Sequence, residues 1–222
     1  MHTKFLLPAG LAAGLALQLC PTAVANPITV TGSASPGVLI PDNDLNGLAS
    51  QITLSSTISS ITGVQVTVDV AGAPTAWNGD YYAYLQYSSG LVVLLNNVGG
   101  GPYGSPGNGF DVTFSDAAPN ISTASGLATT AALTGTYAPQ GGSLNSTFDG
   151  FDPNGVWTLF IADDQAGGVG ELESWSLQVT GNAAAVGVPD NGSTLGLLLL
   201  GAGSLTLWSL RICCLTRFRA IG

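Results

Sequence analysis

Between Asn26 and Asp190 this 222-residue chain holds all thirteen of its Asp and Glu residues and not one Lys, Arg, His or Cys. Nucleophilic catalysis of the Ser-His or Cys-His kind needs a base that titrates near neutrality, and this interval has none. Disulfides and zinc–thiolate sites are excluded by the same composition. Thirteen acids against no base give the interval a formal charge of −13. Nucleic acid is excluded as a partner, because nothing here can neutralise a phosphate.

Oxygen ligands remain, and hard cations such as Ca²⁺ take them. Four clusters qualify: Asp42 and Asp44 around Asn43; Asp80 after Asn78-Gly79; Asp149 and Asp152 around Gly150-Phe151; and Asp163-Asp164. None has EF-hand spacing, and Asp and Asn also favour turns for local reasons, so a turn role competes at each cluster. Glu171 and Glu173 are the only glutamates, a pair that a glycosidase could in principle use. Trp77, Tyr81, Tyr82, Tyr84, Tyr87 and Tyr103 could stack on sugar rings, a reading that competes with cross-strand packing. The Asn-x-Ser/Thr triplets at Asn120, Asn145 and Asn191 are read as chance.

Strands must position these groups, because a period of two dominates and no stretch carries a helical stripe. Val64, Val66, Val68 and Val70 alternate with Gln65, Thr67 and Asp69. Tyr81 to Tyr87 and Leu91 to Leu95 flank a Ser88-Ser89-Gly90 turn. Phe110, Val112 and Phe114 form a shorter alternation; Trp157, Leu159 and Ile161 share one face, as do Trp175, Leu177 and Val179. Short strands between Gly-, Asn- and Pro-rich turns predict an all-β, antiparallel, jelly-roll-like sandwich. Asn96 to Gly109 is expected to be a surface loop with little capacity for burial, and Ser122 to Gly142 is also loop-like.

The two ends read as addresses. Lys4, an apolar run from Phe5 to Leu19 and the Ala23-Val24-Ala25 site predict a signal peptide over residues 1–25. Residues 26–182 form the body and 183–187 a linker. The tail, 188–222, opens with Val188-Pro189-Asp190-Asn191-Gly192-Ser193-Thr194, followed by an apolar run from Leu195 to Leu210 and by Arg211, Arg217 and Arg219. Sixteen helical residues reach roughly 24 Å, and extension through Leu215 with Arg211 snorkelling predicts a single transmembrane helix. The trailing arginines put the C-terminus in the cytoplasm and the acidic body outside. The tail resembles the PEP-CTERM class of bacterial sorting signals, and its motif the VPDSG-type variant with Asn191 in the Ser position. That resemblance implies processing by an exosortase-like protease, transient anchoring by the C-terminal helix, and delivery to the cell envelope or extracellular matrix.

The body carries a second resemblance. Gly79-Asp80-Tyr81 leading into the Ser88-Ser89-Gly90 hairpin, Asn154 to Asp164 with its Gly155-Val156-Trp157-Thr158-Leu159 core, Gly170-Glu171-Leu172, and Trp175-Ser176-Leu177 resemble the proprotein convertase P domain (P/Homo B) over about Ile28 to Asn182. The resemblance implies a jelly-roll-like β-sandwich. Such domains usually follow a subtilisin-like catalytic domain, for which 222 residues leave no room, so this one is expected to stand alone. The expected function is a non-enzymatic, secreted or envelope-sorted module in adhesion or matrix structure, with no catalytic residue and with Ca²⁺ as its one candidate cofactor. A carbohydrate-binding module with a polysaccharide or other envelope partner is the first alternative. A non-catalytic partner that stabilises a separate subtilisin-like protease is another.

Overall fold

The structure, a computed structural model of the chain, describes residues 26–72, 76–99, 104–124 and 131–184. The signal segment with Ala23 and Ala25, the sorting motif Val188 to Thr194, the apolar tail and Tyr103 lie outside the described residues. Among the described residues no helix is long and apolar enough to cross a membrane.

Two sheets face each other, and the longest alternations build their spine. In the first sheet, β1 (Ile28–Ala34), β10 (Gly170–Ala183), β4 (Ile58–Gly72), β7 (Gly109–Phe114) and β8 (Leu133–Tyr137) lie side by side, and the two-residue β2 (Val38–Leu39) also pairs with β10. The second sheet runs β3 (Leu48–Leu54), β9 (Gly155–Asp163), β5 (Tyr81–Tyr87) and β6 (Gly90–Asn96). Along β4, Val64, Val66, Val68 and Val70 are buried, and opposite them on β10 lie Val179, Leu177, Trp175 and Leu172. Branched and aromatic side chains suit such a pleated, half-buried surface, and their cross-strand contacts stabilise the pairing.

Trp157 holds the far side of the core. Its indole stacks on Tyr87 with centroids 4.1 Å apart and rings 7° from parallel, and it meets Phe148 edge-on at 5.0 Å. Its Nε1–H donates to the Pro153 carbonyl at 3.0 Å, so the one polar atom of a fully buried ring is satisfied. Phe148 belongs to the single described α-helix, α1 (Leu144–Phe148). Asp116 caps that helix, accepting from the Leu144 and Asn145 N–H groups at 2.9 and 2.7 Å and from the Ser143 hydroxyl at 2.8 Å.

Two expectations need correction. β7 and β8 pair in parallel, Phe110 opposite Leu133 and Phe114 opposite Tyr137, so the sandwich is not wholly antiparallel and part of the stretch from Ser122 to Gly142 is strand. Only Leu133 of β8 is buried, which left no alternation to read. The segment after β6 also folds inward: Val98 and Ser105 are buried, and the Ser105 N–H donates to the Val98 carbonyl at 2.8 Å. Small residues there let the backbone itself pack.

Trp157→Ala is expected to destabilise the fold by about 3–5 kcal/mol. Urea unfolding should register this as a lower midpoint at unchanged slope. A loss below about 1 kcal/mol, the typical cost of any substitution, would mean that the indole does not anchor this core.

Candidate carboxylate site

Strand pairing draws distant carboxylates to one end of the sandwich. Tyr81, the first residue of β5, pairs with Asp163, the last of β9. The chain entering β5, the chain leaving β9 and the loop before β3 therefore converge. The Asp164 N–H donates to the Asp80 carbonyl at 2.9 Å, the Asp44 N–H donates to the Asp163 carbonyl at 2.9 Å, and the Gly167 N–H donates to Asp42 Oδ1 at 3.0 Å.

Two asparagines hold this convergence. Asn78, fully buried in a 3-10 turn (Asn78–Asp80), donates through Nδ2 to the Gly109 carbonyl and accepts from the Gly109 N–H, both at 2.7 Å. A side-chain amide thus replaces a backbone partner and fixes Asp80 against β7. Asn97, with φ at 50°, donates to the Gly79 carbonyl at 3.0 Å and to both carboxylate oxygens of Asp164, at 2.9 and 3.1 Å. Asn tolerates this left-handed backbone better than most residues.

Asp163 is left with an unsatisfied oxygen, and Asp80 is nearly buried. Asp163 is 0% exposed; its Oδ1 accepts one bond, from Gln165 N–H at 3.3 Å, and its Oδ2 has no partner. Asp80 is 8% exposed, and its carboxylate accepts no hydrogen bond from the described residues. The Tyr81 hydroxyl is a second buried atom without a partner. Burial raises the pKa of Asp80 to about 6, helped by the negative charges of Asp164 and Asp42. Burial also raises Asp163 to about 6, opposed by the Gln165 bond and reinforced by Asp80, Asp42 and Asp164. Tyr81 is raised as well, by burial first and then by Asp163, Asp80 and Asp42. A buried carboxylate surrounded by like charge calls for a proton or a cation, and this body has no cationic side chain to lend.

Of the sequence-predicted ligands, Asp42, Asp80, Asp163 and Asp164 come within electrostatic reach of one another here, while Asp44 joins through its backbone and its carboxylate accepts from Asn46. Asp149 and Asp152 lie at the other end of β9 and act in turns. The Asp149 N–H closes α1 on the Asn145 carbonyl at 2.8 Å, and Asp152 Oδ1 accepts from the Asn154 backbone and side chain at 2.9 and 2.6 Å. Among the described residues no three Asp, Glu, His or Cys side chains are grouped so as to hold a metal ion. A cation here would draw on the free oxygens of Asp80 and Asp163, completed by backbone carbonyls or water, which suits Ca²⁺ better than a softer metal.

The sugar-stacking platform does not assemble as expected. Tyr81 and Tyr87 are core residues, 0% and 8% exposed. Tyr84 is half-buried on the outer face and spends one ring face on Phe160, with centroids 4.8 Å apart. Trp77 is 40% exposed. Glu171 is half-buried opposite Leu39, and Glu173 is exposed where the β10 register shifts. Both asparagines escaped the sequence reading, and Asn97, at the head of a Gly-rich stretch, carried the only local signal.

A family model described as the proprotein convertase P-domain matches residues 63–179, from β4 into β10. No curated protein matches the chain.

Stability in chelator should carry the signature of the two raised acids. Because their folded pKa values exceed the ordinary carboxylate value, their contribution is fully present below about pH 4 and is lost as pH rises through about 6. Asp80→Asn should flatten this slope and raise Tm at pH 7.5 by roughly 3–8 °C. An unchanged slope in differential scanning calorimetry would show that Asp80 ionises freely in the folded chain.

Proposed function

The chain belongs to the proprotein convertase P-domain family, and from that footing we propose that it works as an exported, non-enzymatic β-sandwich module in adhesion or matrix structure, stiffened at one end by Ca²⁺. Family membership carries the coarser part, because P domains are non-catalytic β-sandwich modules. The body agrees with it in lacking His, Lys, Arg and Cys.

One observation carries the calcium reading. Asp163 is fully buried with an oxygen that has no partner, beside the poorly solvated Asp80 and under the field of Asp42 and Asp164. Such a constellation is costly when empty and ionised, and a divalent ion removes both the repulsion and the missing bond. Bound there, the ion would supply positive charge only and tie the β9 exit and the β5 entry together. Export to the envelope rests on the terminal segments, as does processing by an exosortase-like protease.

Two other readings have less support. Carbohydrate binding would fall to Trp77 and the half-buried Tyr82 and Tyr84, whose rings largely pack on one another. Service as a partner of a separate subtilisin-like protease rests on the family alone.

Adding Ca²⁺ at a hundredfold excess over Kd should stabilise the wild type by about 2.7 kcal/mol, roughly 5–10 °C in Tm, with binding heat in titration calorimetry. Asp163→Asn and Asp80→Asn should lose both responses. No heat and no shift in the wild type would eliminate the calcium reading. Mass spectrometry of the chain from exporting cells should find an N-terminus at Asn26 and a C-terminus near Asp190. An intact precursor would eliminate the processing reading.

A further inference from the structure

The fold covers one of its open strands and leaves another bare. At β6, Val93 and Gly141 exchange two backbone hydrogen bonds of 3.0 Å. Gln140 brackets Asn96 there, accepting from its N–H and donating to its carbonyl, both at 2.8 Å. Nothing comparable covers β1. It pairs with β10 on one side through seven consecutive residues without a register shift, and among the described residues its other side has no partner.

Natural sheets protect such edges with charge, proline, a bulge or a covering loop. Ile28-Thr29-Val30-Thr31-Gly32-Ser33-Ala34 contains no charge and no proline, and its pairing contains no bulge. Thr29, Thr31 and Ser33 are exposed. Along the same margin Ile28, Val38 and Leu39 are 36%, 43% and 60% exposed, three of the seven large hydrophobics left exposed among the described residues. The second sheet continues this neutral flank: β3 packs against β1, since a Cβ on Gly32 would strike Ile52 and Leu54, and it carries no charge either.

Charge selects the occupant. The carboxylates sit at the β5/β9 end, around α1 and on the outer face of the first sheet, where Asp69 is paired with Asp111 across strands and Glu171 stands opposite Leu39 at the β2 end of this margin. A cationic partner would seek those regions. A second copy, bearing the same net charge of −9, is repelled from them and meets least repulsion along β1 itself, which carries no carboxylate. A two-fold axis also lets identical edges supply each other's missing donors and acceptors. We propose that the chain pairs with a second copy of itself through β1, antiparallel about an axis near Thr31, so that the first sheet runs on across the dimer. Because β1 lies outside the matched residues 63–179, this surface belongs to this chain and not to the family match. The pairing is independent of calcium.

Sedimentation of the full chain in mild detergent, over a hundredfold concentration range, tests the proposal. The wild type should reach twice the monomer mass, and association should strengthen with salt as repulsion is screened. Thr31→Lys puts like charges face to face at the axis and should weaken association more than tenfold, although it lowers the net negative charge. Gln86→Lys makes the same charge change on the exposed face of β5 and should leave the dimer intact. Amide exchange at residues 28–34 should slow with concentration in the wild type, which keeps the test decisive if Thr31→Lys fails to fold. A monomeric wild type, a dimer that survives Thr31→Lys in a folded chain, or concentration-independent exchange in β1 would overturn the proposal.

Discussion

A body with twelve carboxylates and no cationic side chain must satisfy every negative charge without an ion pair. Most are handled by water or by hydrogen bonding. Asp116 takes up the free N–H groups of a helix start, Asp152 closes a turn, and Asp164 receives an asparagine amide. Asp163 and Asp80 stand apart: the end of β9 carries Asp163 inward with one oxygen unpartnered, and the turn before β5 nearly buries Asp80. Their shared end is one place where the fold works against its own electrostatics, and the pairing of Asp69 opposite Asp111 is another. Calcium is a proposal about how the first conflict is resolved.

P-domain membership and the β-sandwich agree with each other, and the body lacks His, Lys, Arg and Cys. The family match spans the β4-to-β10 ladder and the Trp157 core, the parts whose packing defines the domain. Asp42 and Asp44 stand outside the matched residues, so the carboxylate end joins family-matched strands to a loop beyond the match.

The strong alternations were legible in the sequence. Four valines at every second position place β4, and Trp175, Leu177 and Val179 place β10. Parity even predicts that Asp163 is buried, for it falls on the same face as Trp157, Leu159 and Ile161. The meeting of Asp80 with Asp163 was not legible, because it depends on which strands become neighbours. Nor was the capping role of Asp116, whose helix starts 28 residues further on. The inward fold of Val98 and Ser105 and the parallel β8 escaped for a different reason. Glycine-rich and mostly exposed segments carry no periodicity, and their order comes from backbone packing and tertiary pairing.

The position of β10 has a consequence for how the molecule forms. It is the last described strand in sequence, yet it lies between β1 and β4 in the first sheet. Synthesis therefore delivers an interior strand of the sheet after the strands on either side of it, and β1 has no strand to pair with until Trp175 to Gly181 have been made. Closure across such separations is slow, and until it happens the valines of β4 remain uncovered on one edge. A chain built in this order leaves β1 without its ladder partner until the last described strand has been made.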